Sequence, residues 1–283
     1  DTGDAVHGLL EAAVNAGLHL DPAFLEGKKA GQDRFHDLVT HSRFLTLLSD
    51  KVPDSVGSDD PETREEVRSD AAEAWLFDRI RGIFMSGFSS DGSVSLRNAP
   101  LGCALPEVPF SIHVRNRRLT ADQFFRTLVA ANAKLPSDRQ LPLVPVAAAD
   151  AKRSLAGYLE GRIDLMFEEK DSGLFWLADW KTDQPGDERR GAAEDYNPAA
   201  LMTLMREEKY GWQALIYLVA LRRYLGQAFD ETPDEALNRI GGMAYVFIRG
   251  YSGKTPPETP PSILLKPDAS LVRLADTLLF GED

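Results

Sequence analysis

The segment spanning residues 161–181 constrains the fold more strongly than any other part of the chain. It contains two apolar runs, residues 161–167 and 174–181, separated by a short polar break. Apolar runs of this length around a polar break are typical of a β-hairpin. We therefore expect two antiparallel strands joined by a turn that is centred between Asp171 and Ser172.

Three charged side chains of this hairpin are expected to share one patch. A turn at that position places Asp164 directly opposite Asp179. Strand side chains alternate between the two faces of a sheet, so Lys181 lies on the same face as Asp179 while Trp180 points the other way. Like charges that face each other in a ladder are about 5 Å apart at Cβ, and they destabilise the sheet unless something neutralises them.

A divalent cation would neutralise the two carboxylates. Mg²⁺ suits such a site because it keeps several waters and is held by few protein ligands. Lys181 would then steer or deprotonate an attacking water and offset charge on a phosphate. An ordinary surface hairpin, in which the Asp and Lys side chains pair with one another, explains the same pattern equally well, because Asp-x-Lys occurs often by chance.

The hairpin and three other stretches resemble the RecB-type branch of the PD-(D/E)xK nuclease superfamily. In chain order, the similar stretches are Gly3-x-x-Val6-His7-x-x-Leu10-Glu11, Gly161-x-Ile163-Asp164-Leu165 with Leu177-Ala178-Asp179-Trp180-Lys181-Thr182, Tyr210-x-x-Gln213-x-x-x-Tyr217, and residues 241–250. They occur in the family's order and at plausible intervals. Together they are far more specific than any one of them.

The resemblance implies a role for each polar group of the hairpin. Asp164 and Asp179, with the carbonyl oxygen of Trp180, would bind one or two Mg²⁺ ions, for which Mn²⁺ can substitute. Lys181 would position the nucleophilic water for in-line attack on a phosphodiester bond.

Gln213 and Tyr217 are candidate catalytic residues on a second element. A helical pattern runs from Asn197 to about Leu225 with an irregularity at Gly211, and it places both side chains on one face. In isolation this face is a core stripe with one buried amide. Under the resemblance, both residues face the site and order its water or the DNA strand.

Two further metal-ligand candidates lie outside the hairpin. His7 belongs to a predicted helix that runs through about Asn15 and stops at Gly17, and the resemblance implies that its imidazole reaches the metal. A lone histidine on a partly apolar helix is otherwise more often structural. Glu107, on a predicted strand over residues 105–114, is a third acidic candidate by resemblance, although an exposed edge-strand glutamate explains it equally well.

The charge of the chain bears on how it would meet nucleic acid. The chain has 44 acidic and 32 basic residues, which gives a net charge of −12. This argues against tight nucleic-acid binding by these residues alone, because such binding depends on phosphate neutralisation by Lys and Arg. We expect the chain to rely on tethering to other DNA-gripping domains, which raises the local concentration of substrate.

Cysteine usage and hydropathy narrow the class of protein. Cys103 is the only cysteine, which excludes an internal disulfide and the four-cysteine iron–sulfur cluster common in AddB-type relatives. No apolar run approaches the roughly 20 residues of a membrane span, and no signal peptide opens the sequence. We expect a cytoplasmic protein without a membrane partner. The sequence begins at Asp1 rather than Met, and we expect a longer parent protein.

We predict an α/β fold with a restriction-endonuclease-like core, in which helices flank a central mixed sheet. Glu107, Asp164 and Asp179 are expected on adjacent strands of that sheet. The expected parts of this single domain, residues 1–283, are a core of about 1–17 and 105–250, a helical insertion of about 18–100, and a C-terminal tail with a helix, 251–283.

The resemblance also implies a function and partners. It implies a Mg²⁺-dependent DNA nuclease that forms part of a helicase–nuclease of recombinational DNA repair. Its partners would be DNA, in single-stranded form, the helicase part of the same parent chain, and RecC/RecD-like subunits. The alternatives are an AddA-type or other PD-(D/E)xK nuclease, and a catalytically silent nuclease fold that serves as a docking module. The joint presence of His7, Asp164, Asp179 and Lys181 argues against the silent module.

Overall fold

A five-stranded mixed sheet forms the centre of the fold. The computed structural model describes residues 2–40, 61–114, 119–145, 154–186, 193–254 and 257–281. The strands lie in chain order and are β1 (Ala104–Val114), β2 (Gly157–Glu168), β3 (Phe175–Lys181), β4 (Ile240–Phe247) and β5 (Ser262–Leu265). Only β3 and β4 are parallel; the other neighbours pair antiparallel. The predicted α/β fold, with Glu107, Asp164 and Asp179 on adjacent strands, is confirmed.

Helices cover both faces of this sheet. In chain order they are α1 (Thr2–Asn15), α2 (Pro22–Leu25), α3 (Lys29–Thr40), α4 (Pro61–Ser86), α5 (Ala121–Asn132), α6 (Pro198–Glu207), α7 (Tyr210–Phe229), α8 (Pro233–Asn238) and α9 (Ala269–Phe280). Apolar side chains of α1 to α4 form one core cluster with Leu165, Trp176 and Ala178. Those of α5 to α9 form a second with Leu177 and Met243. The two helical layers therefore bury β3, most of β4 and the adjoining end of β2.

The segment predicted as a helical insertion, about 18–100, supplies much of one layer. Phe24, Phe35 and Phe84, from α2, α3 and α4, are fully buried and belong to the same core cluster as the strand residue Trp176. Residues 41–60 of this segment lie outside the described residues. Among the described helices, none combines the length and the apolarity that crossing a membrane requires.

The register of the predicted hairpin is confirmed. Leu165 pairs with Ala178, and the ladder continues to the pair of Glu168 and Phe175. One step beyond the first of these pairs, the same register sets Asp164 opposite Asp179. The hairpin forms because both of its strands contribute alternating apolar residues to the two cores.

The two faces of β3 carry different chemistry, as predicted from strand alternation. Trp180 is buried in the core that α1 to α4 form with the sheet, and its ring meets that of Phe88 edge-on at 6.1 Å. Lys181 points to the other face, where it meets Gln213 of α7. The buried ring of Trp180 thus anchors β3 in the core, while the charged residues on either side of it, Asp179 and Lys181, face the other way.

Two predictions about the second half of the chain needed correction. The helix predicted from Asn197 to about Leu225 is two helices, because Lys209 adopts a left-handed backbone, φ 59°, between α6 and α7. The predicted irregularity at Gly211 lies inside α7, where a Cβ would sit 2.6 Å from the carbonyl oxygen of Pro142. Gly211 is therefore needed for close packing. Strand β5 lies within the predicted C-terminal tail and was not predicted.

Candidate active site

The hairpin and the N-terminal helix meet beside Asp164. Asp164 Oδ2 accepts a hydrogen bond of 2.8 Å from the backbone N–H of Trp180. His7, on α1, brings Nδ1 to 3.5 Å from the same oxygen. The charge of Asp179 and the main chain of Trp180 both act on the His7 imidazole. The structure thus groups His7, Asp164, Asp179 and Trp180, which the resemblance had implied.

Lys181 is enclosed by four neighbours on the face of β3 that α7 covers. Its Nζ forms an ion pair with Asp179 Oδ1 and lies 3.4 Å from Gln213 Oε1. The ammonium also lies 4.1 Å from the ring centre of Tyr210 and 5.5 Å from that of Tyr245. Because cations are attracted to aromatic faces, both rings help to hold the ammonium in this position.

In the part of the chain that the structure describes, two enclosed carboxylates, Asp164 and Asp179, lie beside a single ammonium, that of Lys181. Burial, followed by the charge of Asp179, raises the pKa of Asp164 to about 7, against the hydrogen bond from Trp180. Burial also raises the pKa of Asp179, although Lys181 acts in the opposite direction. Asp179 is 2% exposed, so water screens this charge poorly. The site therefore favours any bound cation that offsets the second negative charge.

His7 is a neutral imidazole at physiological pH. Burial lowers its pKa, and the charge of Lys181 lowers it further, whereas the charge of Asp179 raises it. A neutral imidazole offers a nitrogen lone pair, which is the form that binds metal ions. The neutral imidazole of His7 therefore fits the metal-ligand role that was predicted for it from the sequence.

Glu107 lies next to Asp164 but is engaged by an arginine. The pairs Pro106 with Leu165 and Val108 with Ile163 flank it, and its own backbone adopts φ 56° in the middle of β1. Its Oε2 accepts a hydrogen bond of 3.1 Å from Arg162 Nη1. Its charge is one of the causes that raise the pKa of Asp164. Strained backbone of this kind persists only where surrounding structure imposes it, and it clusters at functional sites.

Gln213 and Tyr217 form a hydrogen-bonded support for Lys181. Gln213 Nε2 donates to Tyr217 Oη at 3.1 Å, and Tyr217 Oη donates to the carbonyl oxygen of Arg162 at 2.9 Å. These bonds turn Gln213 Oε1 toward Lys181. The predicted face of α7 therefore does point at the site, rather than forming only a core stripe.

Sequence reasoning missed two members of this network. Tyr245 Oη lies 3.0 Å from Gln213 Oε1 and 2.8 Å from the carbonyl oxygen of Tyr210. Asp183 Oδ2 accepts a hydrogen bond of 2.9 Å from Tyr210 Oη. A buried tyrosine hydroxyl needs a hydrogen-bond partner. Because Tyr245 stands in an apolar segment of the sequence, this rule could have predicted that its hydroxyl bonds to a polar group of the site.

The donor set suits a divalent cation, although it is not arranged as a closed cluster. Among the described residues, no three His, Cys, Asp or Glu side chains form a group that could hold a metal ion, and Asp179 is directed at Lys181. The chemistry nevertheless fits: a buried and a half-buried carboxylate, both with raised pKa values, lie beside a neutral imidazole. In the described part of the chain, Asp179 has no charged partner besides Lys181. Carboxylate and carbonyl oxygens are the ligands that Mg²⁺ prefers.

Curated relatives of this chain carry the name RecBCD enzyme subunit RecB. The protein of that name from Haemophilus influenzae is 29% identical over 190 residues, which are 67% of this chain and 14% of the relative. The Mycobacterium tuberculosis protein is 34% identical over 158 residues, 52% of this chain and 14% of the relative. The Escherichia coli protein is 30% identical over 125 residues, 44% of this chain and 10% of the relative. The chain therefore matches about a seventh or less of each of these relatives.

The family comparison covers almost all of the sequence. The model of the PD-(D/E)XK nuclease superfamily matches residues 1–276. This range includes α1 with His7, the hairpin with Asp164, Asp179 and Lys181, and the network of α7. The match and the three-layer fold agree, and the chain belongs to the PD-(D/E)XK nuclease superfamily.

Proposed function

We propose that this chain hydrolyses DNA phosphodiester bonds in a reaction that requires a divalent cation, Mg²⁺ or Mn²⁺. The observation that carries the proposal is the contact of Lys181 with Asp179 and Gln213, directly beside the half-buried carboxylate of Asp164. An ordinary surface hairpin would leave these charges in water. Here Asp179 is buried, and Asp164 and Lys181 are each only 13% exposed; enclosing charges in this way costs free energy and is typical of functional sites.

The metal ligands in this proposal are Asp164, Asp179, the carbonyl oxygen of Trp180 and His7, with Glu107 as a further candidate. When bound, the cation lowers the pKa of a coordinated water and polarises a phosphoryl oxygen. The hydrogen bond from Trp180 already orients the carboxylate of Asp164. His7 is neutral and needs to lose no proton before it binds.

Lys181 orients the attacking water in this mechanism. Its ammonium donates hydrogen bonds and carries a positive charge close to where negative charge grows on the phosphate. Gln213 accepts a hydrogen bond from the ammonium and Asp179 pairs with it, so the direction of the remaining N–H group is fixed. Tyr217 fixes Gln213 in turn. These residues act by position and electrostatics, which supply most of the catalysis in phosphoryl transfer.

The proposed context is a helicase–nuclease of recombinational DNA repair, of the exodeoxyribonuclease V type. The names of the relatives support this context. The parent chain's helicase part and RecC/RecD-like subunits would deliver the DNA strand, which agrees with the net charge of −12. An AddA-type nuclease would use the same site chemistry with other partners.

The test is cleavage of labelled single-stranded and double-stranded DNA with Mg²⁺, with Mn²⁺ and with a chelator. We expect cleavage that needs the cation and that falls about a hundredfold or more in Lys181→Met, because an oriented charge is lost. Lys170→Met, in the exposed hairpin turn, is the matched control and should cleave normally. Full activity in the chelator, or in Lys181→Met, would refute the proposal. A wild-type chain that cleaves neither substrate would favour the docking module.

A further inference from the structure

One part of the sheet extends beyond the neighbouring strand and leaves a face open. Residues 108–114 of β1 pair with residues 157–163 of β2, whereas β2 pairs with β3 only over residues 165–168. We call this two-stranded extension the β1–β2 ribbon. Its inner face packs on the core through residues such as Phe110 and Leu159. The side chains of its outer face are exposed: Pro109, Ser111, His113, Tyr158, Glu160 and Arg162.

The far end of this outer face carries an exposed aromatic pair. Tyr158 is 73% exposed, which is unusual for so large an apolar ring. It sits directly opposite His113 in the ladder, and the two rings lie 5.0 Å apart with an angle of 31° between their planes. The packing of the described residues does not need this pair, because both side chains point to solvent.

The near end of the same face reaches the candidate active site. Arg162, whose side chain is 64% exposed, contacts Glu107, and its carbonyl oxygen accepts the hydrogen bond from Tyr217. Arg162 lies four positions after Tyr158 along β2, a distance of about 13 Å at 3.3 Å per residue. A stacked nucleic-acid strand advances about 3.4 Å per nucleotide, so this distance matches roughly four nucleotides.

We propose that the outer face of the β1–β2 ribbon is a platform for a single DNA strand, an inference that rests on the proposed function. A base stacks on the pair formed by Tyr158 and His113, and Arg162 meets the phosphodiester backbone where the strand enters the site. Proteins that bind single strands without sequence preference combine aromatic stacking with cationic contacts in this way. At its near end this face continues through the contact of Arg162 with Glu107 toward Asp164, which favours a DNA strand over a protein partner as the occupant.

Charge along the platform is consistent with this occupant. Glu160 is the one acid of the outer face, and its Oε1 accepts a hydrogen bond of 3.1 Å from Ser111 Oγ; Arg162 is the one arginine of this face and contacts Glu107 at the near end. Stacking needs little phosphate neutralisation, so it suits a chain whose net charge is −12.

The test measures binding of a fluorescent thymidine 12-mer to a chain that carries Asp179→Asn, which prevents cleavage. We expect Tyr158→Ala to weaken binding about tenfold, the effect of losing one stacked base. Tyr158→Trp should bind as well as the parent. The matched control is Tyr224→Ala, on α7, where an exposed tyrosine is removed away from the ribbon and affinity should not change.

Two further measurements separate stacking from a general loss of fold or charge. A 12-mer without bases should bind Tyr158→Ala and its parent equally, because it offers nothing to stack. The slope of log affinity against log salt should stay the same in Tyr158→Ala and become shallower by about 1 in Arg162→Ala. If Tyr158→Ala binds the thymidine 12-mer with unchanged affinity, the proposed platform is refuted, and a protein partner becomes the favoured occupant of this face.

The outcome for the platform is distinguishable from that for the proposed function. If the wild-type chain cleaves DNA while Tyr158→Ala keeps the same affinity and the same KM, only the platform is refuted. If the wild-type chain cleaves nothing while Tyr158→Ala still loses affinity, the platform stands as a binding surface and catalysis by this chain is refuted.

Discussion

Trp180 holds Asp164 in place across the hairpin through the 2.8 Å hydrogen bond from its backbone N–H to Asp164 Oδ2. The bond ties one carboxylate to the residue that directly follows the other, Asp179. It also favours the charged form of Asp164 against the burial that raises its pKa. The two carboxylates are therefore positioned by the protein alone, and a cation would enter a site that is already formed.

Asp179→Asn should remove cleavage and leave the fold intact. The amide keeps the shape of the side chain but loses the charge that would bind the cation, so we expect at least about a hundredfold less cleavage. The metal-free variant should unfold at an equal or higher temperature, because a desolvated carboxylate is replaced by a neutral group. Cleavage assays and calorimetry in a chelator measure the two effects.

Asp138→Asn is the control for this change, because Asp138 is exposed and far from the hairpin in sequence. It should leave both cleavage and unfolding temperature unchanged. Wild-type cleavage by Asp179→Asn would remove Asp179 from the site.

His7→Ala should act through the cation rather than through a proton. Because the imidazole of His7 is neutral and lies 3.5 Å from Asp164, its loss should weaken Mn²⁺ binding, and high Mn²⁺ should restore part of the cleavage. Titration calorimetry of Mn²⁺ measures the affinity. His36→Ala, which removes an exposed histidine, is the control, and equal Mn²⁺ affinity in His7→Ala and wild type would return His7 to a structural role.

The stability of the metal-free chain should fall as the pH rises toward neutrality. The pKa of Asp164 is about 7 in the folded chain, against an ordinary value of 3.8, so the folded state binds this proton more tightly than the unfolded state. The stabilisation is complete below about pH 3.8 and is lost as the pH passes through about 7.

The check is the unfolding temperature between pH 4 and pH 8 for the wild type and for Asp164→Asn, both in a chelator. The variant should show a flatter dependence over this range, and saturating Mg²⁺ should restore the wild type at high pH, because metal ions bind the charged carboxylate. Parallel curves for the two proteins would contradict the assignment of a raised pKa to Asp164.

Tyr245→Phe should impair cleavage without touching a metal ligand. The hydroxyl of Tyr245 lies within hydrogen-bond distance of Gln213 and of the Tyr210 carbonyl, so its loss removes a buried hydrogen bond and destabilises the fold by about 0.5–1.5 kcal/mol. Gln213 would then hold Lys181 less firmly, and we expect about 10–100-fold less cleavage, as for other supporting residues.

The stability and rate of Tyr245→Phe are measured by denaturant unfolding and by cleavage below the unfolding temperature. Tyr224→Phe, which removes an exposed hydroxyl, should change neither. A destabilised Tyr245→Phe with full cleavage would show that Gln213 needs no support from β4.

The sequence by itself determined the hairpin and the charges on it. Alternating apolar residues and a short polar break are local properties, so they specify the turn, the register of Asp164 and Asp179, and the face of Lys181. The shared helix face of Gln213 and Tyr217 was predictable for a similar reason, because their spacing in a helix places both side chains on the same face. The resemblance then linked these local elements to one family.

Tertiary structure alone decided how the elements meet. Tyr245 enters the site because β4 pairs in parallel with β3 and sets Asp179 beside Tyr245, and a parallel pairing across a long connection leaves no local pattern in the sequence. The strained backbone of Glu107, the break at Lys209 and the pairing of β5 with β4 depend likewise on distant neighbours. The physical reason is the same for each: packing and hydrogen-bond partners from elsewhere in the chain overrode what the local residues favour.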